Sequence, residues 1–214
     1  MSVKLVVYDL DGTLIDSAPA TIYVLNQLRQ ELGRAPLPNS AFVPWLSLGG
    51  TSLISNSLEF EDEGTAEIYL QEFRKRLRKL ELGHIPLYKN VDQTLSLLYN
   101  SNIKLSICTS KVRDLTDKIL HELNISSYFS YVVAGGDLLT TKPDPRNLLA
   151  CCDNLNISKQ DTIFVGDSTV DRATAKNADV KFALFEGGYN DGVDTTGITT
   201  FSDHLELANK VLNG

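Results

Sequence analysis

Cysteine and histidine are scarce in this chain, and neither forms a recognisable binding pattern. Three of the 214 residues are cysteines, of which Cys151 and Cys152 are adjacent and Cys108 falls inside an apolar run. An odd count with an adjacent pair disfavours a disulfide framework and is typical of a reduced, cytoplasmic protein. The three histidines have no metal-ligand spacing with the cysteines, which argues against a zinc site.

Long apolar runs and an excess of positive charge are also missing. No run approaches the roughly 20 apolar residues that span a bilayer, and the first residues do not resemble a secretion signal. The net charge of −7 argues against a nucleic-acid-binding surface. We therefore expect a cytoplasmic monomer or homodimer with no membrane or nucleic-acid partner. A phosphate site in so acidic a chain would need a metal, a lysine and backbone N–H groups close by.

Short apolar runs alternate with helical patterns through most of the chain. The predicted strands lie near residues 3–8, 104–108, 130–133, 162–165 and 181–185. The predicted helices between them lie near residues 91–100, 113–123, 145–154 and 170–177. This alternation predicts an α/β fold with a doubly wound parallel sheet.

Residues 16–84 break this alternation because they contain no convincing strand. Leucines at helical spacing predict a helix that ends at Gly33, after which Pro36, Pro38 and Pro44 interrupt the pattern. Two further helices are predicted near residues 50–59 and 64–82. We predict a helical domain at residues 16–84, inserted into a core of residues 1–15 and 85–214, with hinges near residues 16–18 and 83–88.

The most informative motif is Asp9-Leu10-Asp11-Gly12-Thr13, which directly follows the first predicted strand. Side chains two residues apart on a strand point the same way, so Asp9 and Asp11 would lie together at its carboxyl end. Open α/β sheets bind their ligands at that end. Because two close carboxylates need a cation or a shared proton, the pair indicates half of a metal site with a candidate nucleophile.

Three more polar motifs occur further along the chain, either after a predicted strand or in a loop. They are Thr109-Ser110, Lys142-Pro143 and the segment from Gly166 to Asp171. With the first motif, in this order and spacing, they make the chain resemble the haloacid dehalogenase-like hydrolase superfamily over essentially its whole length. Within the superfamily it looks most like the phosphoglycolate phosphatase-like branch. The resemblance implies a Rossmann-like core, with residues 16–84 as a cap that closes over the site and helps select substrates.

The resemblance also implies roles for the acidic residues. Asp9 would be the nucleophile that forms an aspartyl-phosphate, and Asp11 the general acid and base. Asp11 would also bind a metal through its backbone carbonyl. Asp167 is a candidate metal ligand beside Asp9, and such an oxygen-rich set favours Mg²⁺. Asp171 would hold metal-bound water or orient Lys142, and it also fits a first-turn acid of a helix.

Other residues of the motifs are candidates for binding the phosphate group. Lys142 would offset charge on the transferring phosphoryl group. The Thr109 hydroxyl and the Ser110 N–H, expected at a helix start, would contact phosphate oxygens. Many relatives have asparagine where this chain has Ser110, so its side-chain contact is left open. Gly12 and Thr13 are expected to contribute backbone N–H groups.

Three segments outside the motifs have weaker interpretations. Thr51 is a candidate substrate contact in the helical domain, with a helix N-cap as the equal alternative. The segment Gly187-Gly188-Tyr189-Asn190 is interpreted as a loop at the edge of the site. Residues 74–79 carry five positive charges, which indicate either a solvated helix face or a surface that steers anions to the cleft.

We therefore predict a Mg²⁺-dependent phosphatase acting on a small phosphorylated metabolite, with phosphoglycolate the best single candidate by resemblance. The alternatives are a β-phosphoglucomutase-like phosphotransferase, a pyrophosphatase, a haloalkanoate dehalogenase and a non-catalytic binding protein. Asp11 and Asp167 disfavour the dehalogenase, whose family lacks the second aspartate and needs no metal. The cap residues expected of the mutase are not apparent at residues 16–21, and a non-catalytic protein has no need of a nucleophile.

Overall fold

The computed structural model describes residues 3–80 and 85–213. Within them, five strands lie where the sequence predicts them: β1 (Leu5–Tyr8), β2 (Lys104–Val112), β3 (Tyr131–Gly135), β4 (Thr162–Gly166) and β5 (Lys181–Phe185). A short sixth strand, β6 (Thr199–Phe201), was not predicted. All of them join one parallel sheet in the order β3-β2-β1-β4-β5-β6.

In the part of the insertion that the structure describes, residues 16–80, four helices lie between β1 and the rest of the sheet. They are α1 (Ala18–Glu31), α2 (Asn39–Leu46), α3 (Gly50–Leu58) and α4 (Glu63–Lys79). Their apolar faces form a hydrophobic cluster of their own, which Leu115 of the core joins. The division into two domains stays a prediction.

The remaining helices cover both faces of the sheet. They are α5 (Val91–Asn100), α6 (Arg113–Glu122), α7 (Arg146–Leu155), α8 (Thr169–Ala178) and α9 (His204–Asn213), the last not predicted. Residues of α5, α6 and α9 share one hydrophobic cluster with Val6 and Tyr8 of β1, whereas α7 and α8 share another with Leu5 and Val7. Alternate side chains of β1 therefore point to opposite helical layers, and the predicted doubly wound α/β fold is confirmed.

The central position of β1 determines where the site lies. In the parallel register, Tyr8 pairs with Ile107 of β2 on one side and with Val165 of β4 on the other. The segments that follow these three strands consequently emerge side by side at the carboxyl edge of the sheet. This edge is where open α/β sheets bind ligands.

The helix boundaries in the insertion partly match the sequence. The first helix ends near the predicted Gly33, whose φ of 71° is the left-handed conformation typical of a helix C-terminus. The prediction that Pro44 interrupts helical structure is wrong, because α2 contains it. Pro44 lies in the last turn, where it removes one N–H, and α2 still buries Phe42 completely. The predicted end of α4 at residue 82 lies outside the described residues.

The two chain segments that join the insertion to the core run beside each other. The Asp16 N–H donates to the Pro86 carbonyl at 2.9 Å, and the Tyr88 N–H donates to the Leu14 carbonyl at 3.0 Å. Of the predicted hinge residues, Gly83 and His84 lie outside the described part of the chain, so the hinge itself stays a prediction.

Membrane-spanning helices and disulfides are two features that the sequence disfavours. No helix in residues 3–80 and 85–213 has the length and hydropathy to cross a membrane. The three cysteines are free thiols, and all of them are buried. Cys108 packs within the core from β2, as a small apolar side chain would.

His204 of α9 provides a pH-dependent contribution to stability. It is fully buried, with its ring centroid 4.6 Å from that of Phe185 and 5.3 Å from that of Phe201. Burial lowers the pKa of His204 to about 4, and the Thr13 backbone and the Asp203 carboxylate only partly offset this. The unfolded chain therefore binds the extra proton between about pH 6.5 and pH 4, so this contribution is lost as pH falls through that window.

We expect His204→Phe to make the free energy of unfolding less sensitive to acid. Between pH 7 and pH 4 the wild type should lose about 3 kcal/mol more than the variant, from 1.36 kcal/mol per pKa unit. Urea unfolding at several pH values measures this difference. His121→Gln, which changes an exposed histidine, is the control. Parallel pH profiles for His204→Phe and the wild type would contradict the assignment.

Candidate active site

Asp9 is the buried carboxylate at the centre of the site. It directly follows β1 and is 8% exposed, and its Oδ1 lies 2.8 Å from Nζ of Lys142. Burial raises the pKa of Asp9 to about 7, although Lys142 opposes this, and the nearby charges of Asp171 and Asp11 raise it further. A carboxylate in this setting gains from any added positive charge, whether from a metal or from a bound proton.

Lys142 bridges two carboxylates. Its Nζ lies 2.7 Å from Oδ1 of Asp171, besides the contact with Asp9. Burial by itself would lower the pKa of Lys142, but the charges of Asp171 and Asp9 outweigh it and raise the pKa. The lysine therefore stays protonated, and its position is fixed by two ion pairs.

Asp171 lies in the first turn of α8 and is fully buried. Its Oδ2 accepts a hydrogen bond from Oγ of Ser168 at 2.6 Å, while its Oδ1 is paired with Lys142. Both oxygens are thus engaged, which suits a residue that orients Lys142. Its place near the helix N-terminus is also electrostatically favourable for an acid.

Asp167 follows β4 and lies in the loop before α8. Its Oδ1 accepts from Oγ1 of Thr13 at 2.8 Å, and its Oδ2 accepts from the Tyr189 N–H at 2.7 Å. Burial raises the pKa of Asp167 well above its usual range, the charges of Asp171 and Asp9 add to this, and the two hydrogen bonds oppose it. The two donors hold the carboxylate in one orientation beside Asp9.

Close approach to Asp167 requires glycine at two positions. At Gly12, where φ is 79°, a Cβ would lie 2.7 Å from Cγ of Asp167. At Gly188 a Cβ would lie 2.6 Å from Oδ2 of the same residue. These distances are far below van der Waals contact, so a larger residue would displace the Asp167 carboxylate. The segment from Gly187 to Asn190, interpreted from sequence as a loop near the site, contacts it through Gly188 and Tyr189.

The backbone N–H groups of Gly12 and Thr13, which we expected to bind phosphate, both donate hydrogen bonds within the turn after β1. The Gly12 N–H donates to the Ile15 carbonyl at 2.9 Å, and the Thr13 N–H donates to the Leu10 carbonyl at 3.4 Å. The turn after β1 uses both groups internally. Thr13 contributes instead through its hydroxyl, which holds Asp167.

The donor set at the site fits a hard divalent cation. Asp9, Asp167 and Asp171 each place a carboxylate oxygen within 4.8 Å of the others, and all three residues are buried. The single positive charge of Lys142 cannot balance three carboxylates, and burying a carboxylate without a compensating positive charge costs free energy. Asp9 and Asp167 line the cavity described below, whereas Asp171 is not among its described lining residues, so Asp9 and Asp167 are the side chains best placed to bind the ion.

The Asp11 side chain takes no part in this carboxylate cluster and faces a different set of groups. Its Oδ1 lies 3.0 Å from Nζ of Lys111 and accepts a hydrogen bond from Oγ of Ser17. The Ser17 oxygen in turn lies 2.9 Å from the Tyr189 hydroxyl. Asp11 is more exposed than Asp9 and lines the cavity described below, so its carboxyl group is accessible to a ligand there.

Thr109 and Ser110 do not lie at a helix start, so that expectation is wrong. Strand β2 continues to Val112, with an irregular register after Cys108, and α6 begins only at Arg113. The extra residues carry Thr109, Ser110 and Lys111 along the edge of the sheet, where all of them line the cavity. Phosphate contacts from Thr109 and Ser110 would therefore not gain from a helix dipole.

A cavity lies between the carboxylate cluster and the helical insertion. On the core side it is lined by Asp9, Asp11, Lys142 and Asp167, among others. On the other side it is lined by residues of the insertion, most of them apolar: Leu46, Ser47, Gly49, Gly50, Leu53, Leu70, Phe73, Arg74 and Leu77. The core thus lines one side of the cavity, and the insertion lines the other.

Thr51 is not among the described residues that line this cavity. It lies in the first turn of α3, and the N-cap of that helix is Gly49, with φ at 61°. The alternative that Thr51 is the N-cap is therefore wrong, and neighbouring Gly49 and Gly50 contact the cavity in its place.

Sequence reasoning missed Asp191 as well as Lys111. The Asp191 carboxylate accepts from Oγ of Ser47 in the insertion at 2.7 Å and from the N–H of Thr169 in the core at 2.7 Å. It therefore links the insertion to the start of α8. No local pattern identifies it, because both partners are distant in sequence.

A protein-family model described as haloacid dehalogenase-like hydrolase matches residues 6–185 of this chain. A phosphoglycolate phosphatase of Psychrobacter arcticus is 33% identical, over 99% of this chain and 97% of the relative. A phosphoglycolate phosphatase of Chromobacterium violaceum is 31% identical, over 99% of this chain and 98% of the relative.

Solved structures share the fold at lower identity. A protein of Clostridium acetobutylicum described as a predicted phosphatase superposes with a TM-score of 0.88 at 23% identity, covering 100% of both chains. A hydrolase of the same superfamily from Geobacter sulfurreducens superposes with a TM-score of 0.70 at 21% identity, covering 98% of this chain and 96% of its own. At these identities the likeness supports the fold alone.

Proposed function

Because this chain belongs to the haloacid dehalogenase-like hydrolases, we propose that it hydrolyses the phosphate monoester of a small metabolite through an aspartyl-phosphate on Asp9. The observation that carries this proposal is the buried carboxylate of Asp9, which lies 2.8 Å from Lys142 and lines a cavity between the core and the insertion. Phosphoglycolate is the first candidate substrate, since the relatives that match nearly the whole chain are phosphoglycolate phosphatases.

The proposed reaction proceeds in two displacements at phosphorus. A carboxylate oxygen of Asp9 attacks the phosphorus, the bond to the ester oxygen breaks, and Asp11 gives a proton to the leaving alkoxide. Asp11 then takes a proton from water, which attacks the phosphorus and releases inorganic phosphate with Asp9 restored. Asp11 suits the role of general acid and base because its side chain lies outside the carboxylate cluster and lines the cavity.

Charge balance is the second requirement of the reaction, and Lys142 meets part of it. Its two ion pairs hold a permanent positive charge beside the nucleophile, where it would stabilise the transferring phosphoryl oxygens. Asp9 and Asp167 would bind Mg²⁺, which when bound supplies further positive charge to the phosphoryl group. Thr109 and Ser110 line the same cavity and would contact the phosphate.

The helical insertion would act as a cap over this site. Its residues form one wall of the cavity, and the hydrogen bond from Ser47 to Asp191 connects it to the core. Opening would admit substrate and release product, while closure would exclude bulk water from the aspartyl-phosphate.

Phosphate release from a panel of esters tests the proposal. We expect release that requires Mg²⁺ and stops with EDTA, with phosphoglycolate hydrolysed faster than sugar phosphates, nucleotides or pyrophosphate. Faster hydrolysis of pyrophosphate would favour a pyrophosphatase. Conversion of a sugar phosphate into its isomer without phosphate release would favour a mutase. No turnover of any compound with Mg²⁺ would refute the proposal.

Asp167→Asn is expected to weaken metal binding without unfolding the protein. The amide has the size of the carboxylate but lacks its charge, so the Mg²⁺ concentration for half-maximal activity should rise by at least about 10-fold. The rise in Tm that Mg²⁺ produces should shrink in parallel, which gives a readout independent of turnover. Asp153→Asn, an exposed change on α7, is the control. An unchanged Mg²⁺ titration would remove Asp167 as a ligand.

A further inference from the structure

The insertion contributes a mostly apolar wall to the cavity. Among the described residues of this wall, Arg74 is the one that carries a charge. Leu53, Leu70, Phe73 and Leu77 line the same wall. This wall faces the part of the substrate that leaves as the alcohol, because the phosphate must lie against Asp9 on the opposite side. Arg74 is therefore placed to contact the leaving group.

Among the described residues that line the cavity, three are cationic, and two of them are already paired. Lys142 is held by Asp9 and Asp171, and Lys111 is paired with Asp11 at 3.0 Å. Arg74 makes no hydrogen bond or ion pair with the residues that the structure describes. Its positive charge is accordingly available to a ligand, whereas the other two are used to hold catalytic carboxylates.

The neighbours of Arg74 on α4 differ from it in this respect. Lys75 pairs with Glu72 at 3.2 Å, Arg76 pairs with Glu31 at 2.7 Å, and Arg78 pairs with Asp114 of the core. Among the described residues, Arg74 lines the cavity and these three do not. The basic run of residues 74–79 is therefore mostly paired surface charge, and Arg74 is the member directed to the site.

The surroundings of Arg74 favour an anionic partner. Burial lowers the pKa of Arg74, with Arg78 adding to the effect, while Glu67 and Asp114 act in the opposite direction. A guanidinium that has lost part of its hydration beside apolar side chains regains stabilisation when it binds an anion. Its planar, forked donors match a carboxylate with two parallel hydrogen bonds.

We infer that Arg74 is a specificity-determining residue that binds a carboxylate on the leaving group of the substrate. This inference rests on the proposed function and narrows it to phosphorylated hydroxy acids, which release a small hydroxy acid and inorganic phosphate. Phosphoglycolate belongs to this class. An ester of the same size without the carboxylate lacks the group that Arg74 binds.

The kinetic test compares two esters that differ in this one group. Phosphoglycolate carries a carboxylate where 2-hydroxyethyl phosphate carries a hydroxymethyl group. We expect Arg74→Gln to lower kcat/KM for phosphoglycolate by roughly 10- to 100-fold, the range for loss of a charged hydrogen-bonded contact, and to change that for 2-hydroxyethyl phosphate less than about 2-fold. Lys75→Gln removes the same charge one residue away and should leave both values unchanged.

A binding test separates this inference from the proposed activity. With Mg²⁺ present, calorimetry compares 3-phosphonopropionate, which cannot be hydrolysed at its carbon–phosphorus bond, with propylphosphonate, which lacks the carboxylate. The wild type and Lys75→Gln should prefer the carboxylate compound by at least about 10-fold, and Arg74→Gln should lose that preference.

The possible outcomes distinguish the two ideas. Active phosphatase with equal losses for both esters in Arg74→Gln would overturn the role of Arg74 while leaving the proposed function intact. No preference for 3-phosphonopropionate in the wild type would also overturn it. Arg74-dependent preference in a protein that hydrolyses no ester would support the carboxylate contact and refute the phosphatase proposal instead.

Discussion

Replacing Asp9 by asparagine is expected to reduce hydrolysis by about 10⁴-fold or more while the protein remains folded. The amide keeps the shape of the side chain but cannot attack phosphorus, and loss of a nucleophile has effects of this order in other covalent enzymes. Folding should survive because Lys142 retains Asp171 as a partner at 2.7 Å. Steady-state rates with Mg²⁺ and an unfolding curve measure the two parts of this expectation.

A second readout for Asp9→Asn is the covalent intermediate itself. Acid quenching during turnover of a ³²P-labelled ester should leave label on the wild type and none on the variant. Asp153→Asn is the matched control, since it makes the same chemical change at an exposed position on α7. Mass spectrometry should check that the new asparagine has not deamidated. Label or substantial turnover in verified Asp9→Asn would remove Asp9 as the nucleophile.

Lys142→Met is expected to have the largest effect on stability of any single change at the site. It leaves the buried carboxylates of Asp9 and Asp171 without their shared cation. Removing one partner of a buried ion pair costs about 3–5 kcal/mol in the free energy of unfolding. Urea unfolding at neutral pH with EDTA measures this loss, and hydrolysis should be lost at the same time.

A double variant separates the structural and catalytic parts of the Lys142 effect. Lys142→Met with Asp171→Asn removes one of the two stranded charges, so it should recover part of the lost stability compared with Lys142→Met alone. It should not recover activity, because the positive charge beside Asp9 is still missing. An unfolding curve for Lys142→Met that matches the wild type would show that the lysine does not balance these carboxylates.

The core strands and the four motifs could be predicted from sequence because their signals are local. Each of the five predicted strands is an apolar run, and parallel pairing brings their carboxyl ends together whatever the details of packing. Asp9 and Asp167, which follow the paired strands β1 and β4, are close for that reason. Strand β6 was missed because it has only three residues and lies at the edge of the sheet.

The errors and omissions at the site have a different origin, since each depends on tertiary contacts. The strand β2 runs past Thr109 to Val112 only because its pairing with β3 resumes after an irregular stretch. Likewise, Arg74 differs from its basic neighbours in lacking an acidic partner among the described residues and in lining the cavity. Sequence alone indicates the charge of such residues but not their partners.

The central placement of β1 has a consequence for how the protein is made on the ribosome. This strand is synthesised first, yet both of its neighbours in the sheet, β2 and β4, begin only at Lys104 and Thr162. The four helices described in the insertion share a hydrophobic cluster drawn mostly from adjacent sequence, so we expect them to fold in the meantime.

The site itself is assembled late. Thr13 and its partner Asp167 are separated by 154 residues, which at 5–20 residues per second is roughly 8 to 30 seconds of translation. Until β2 is made, the apolar residues of β1 have no neighbouring strand in the sheet, and the nascent chain is exposed to aggregation and to chaperones. A chain that stops before β4 and Asp167 would contain the helices of the insertion and the proposed nucleophile, but no completed site.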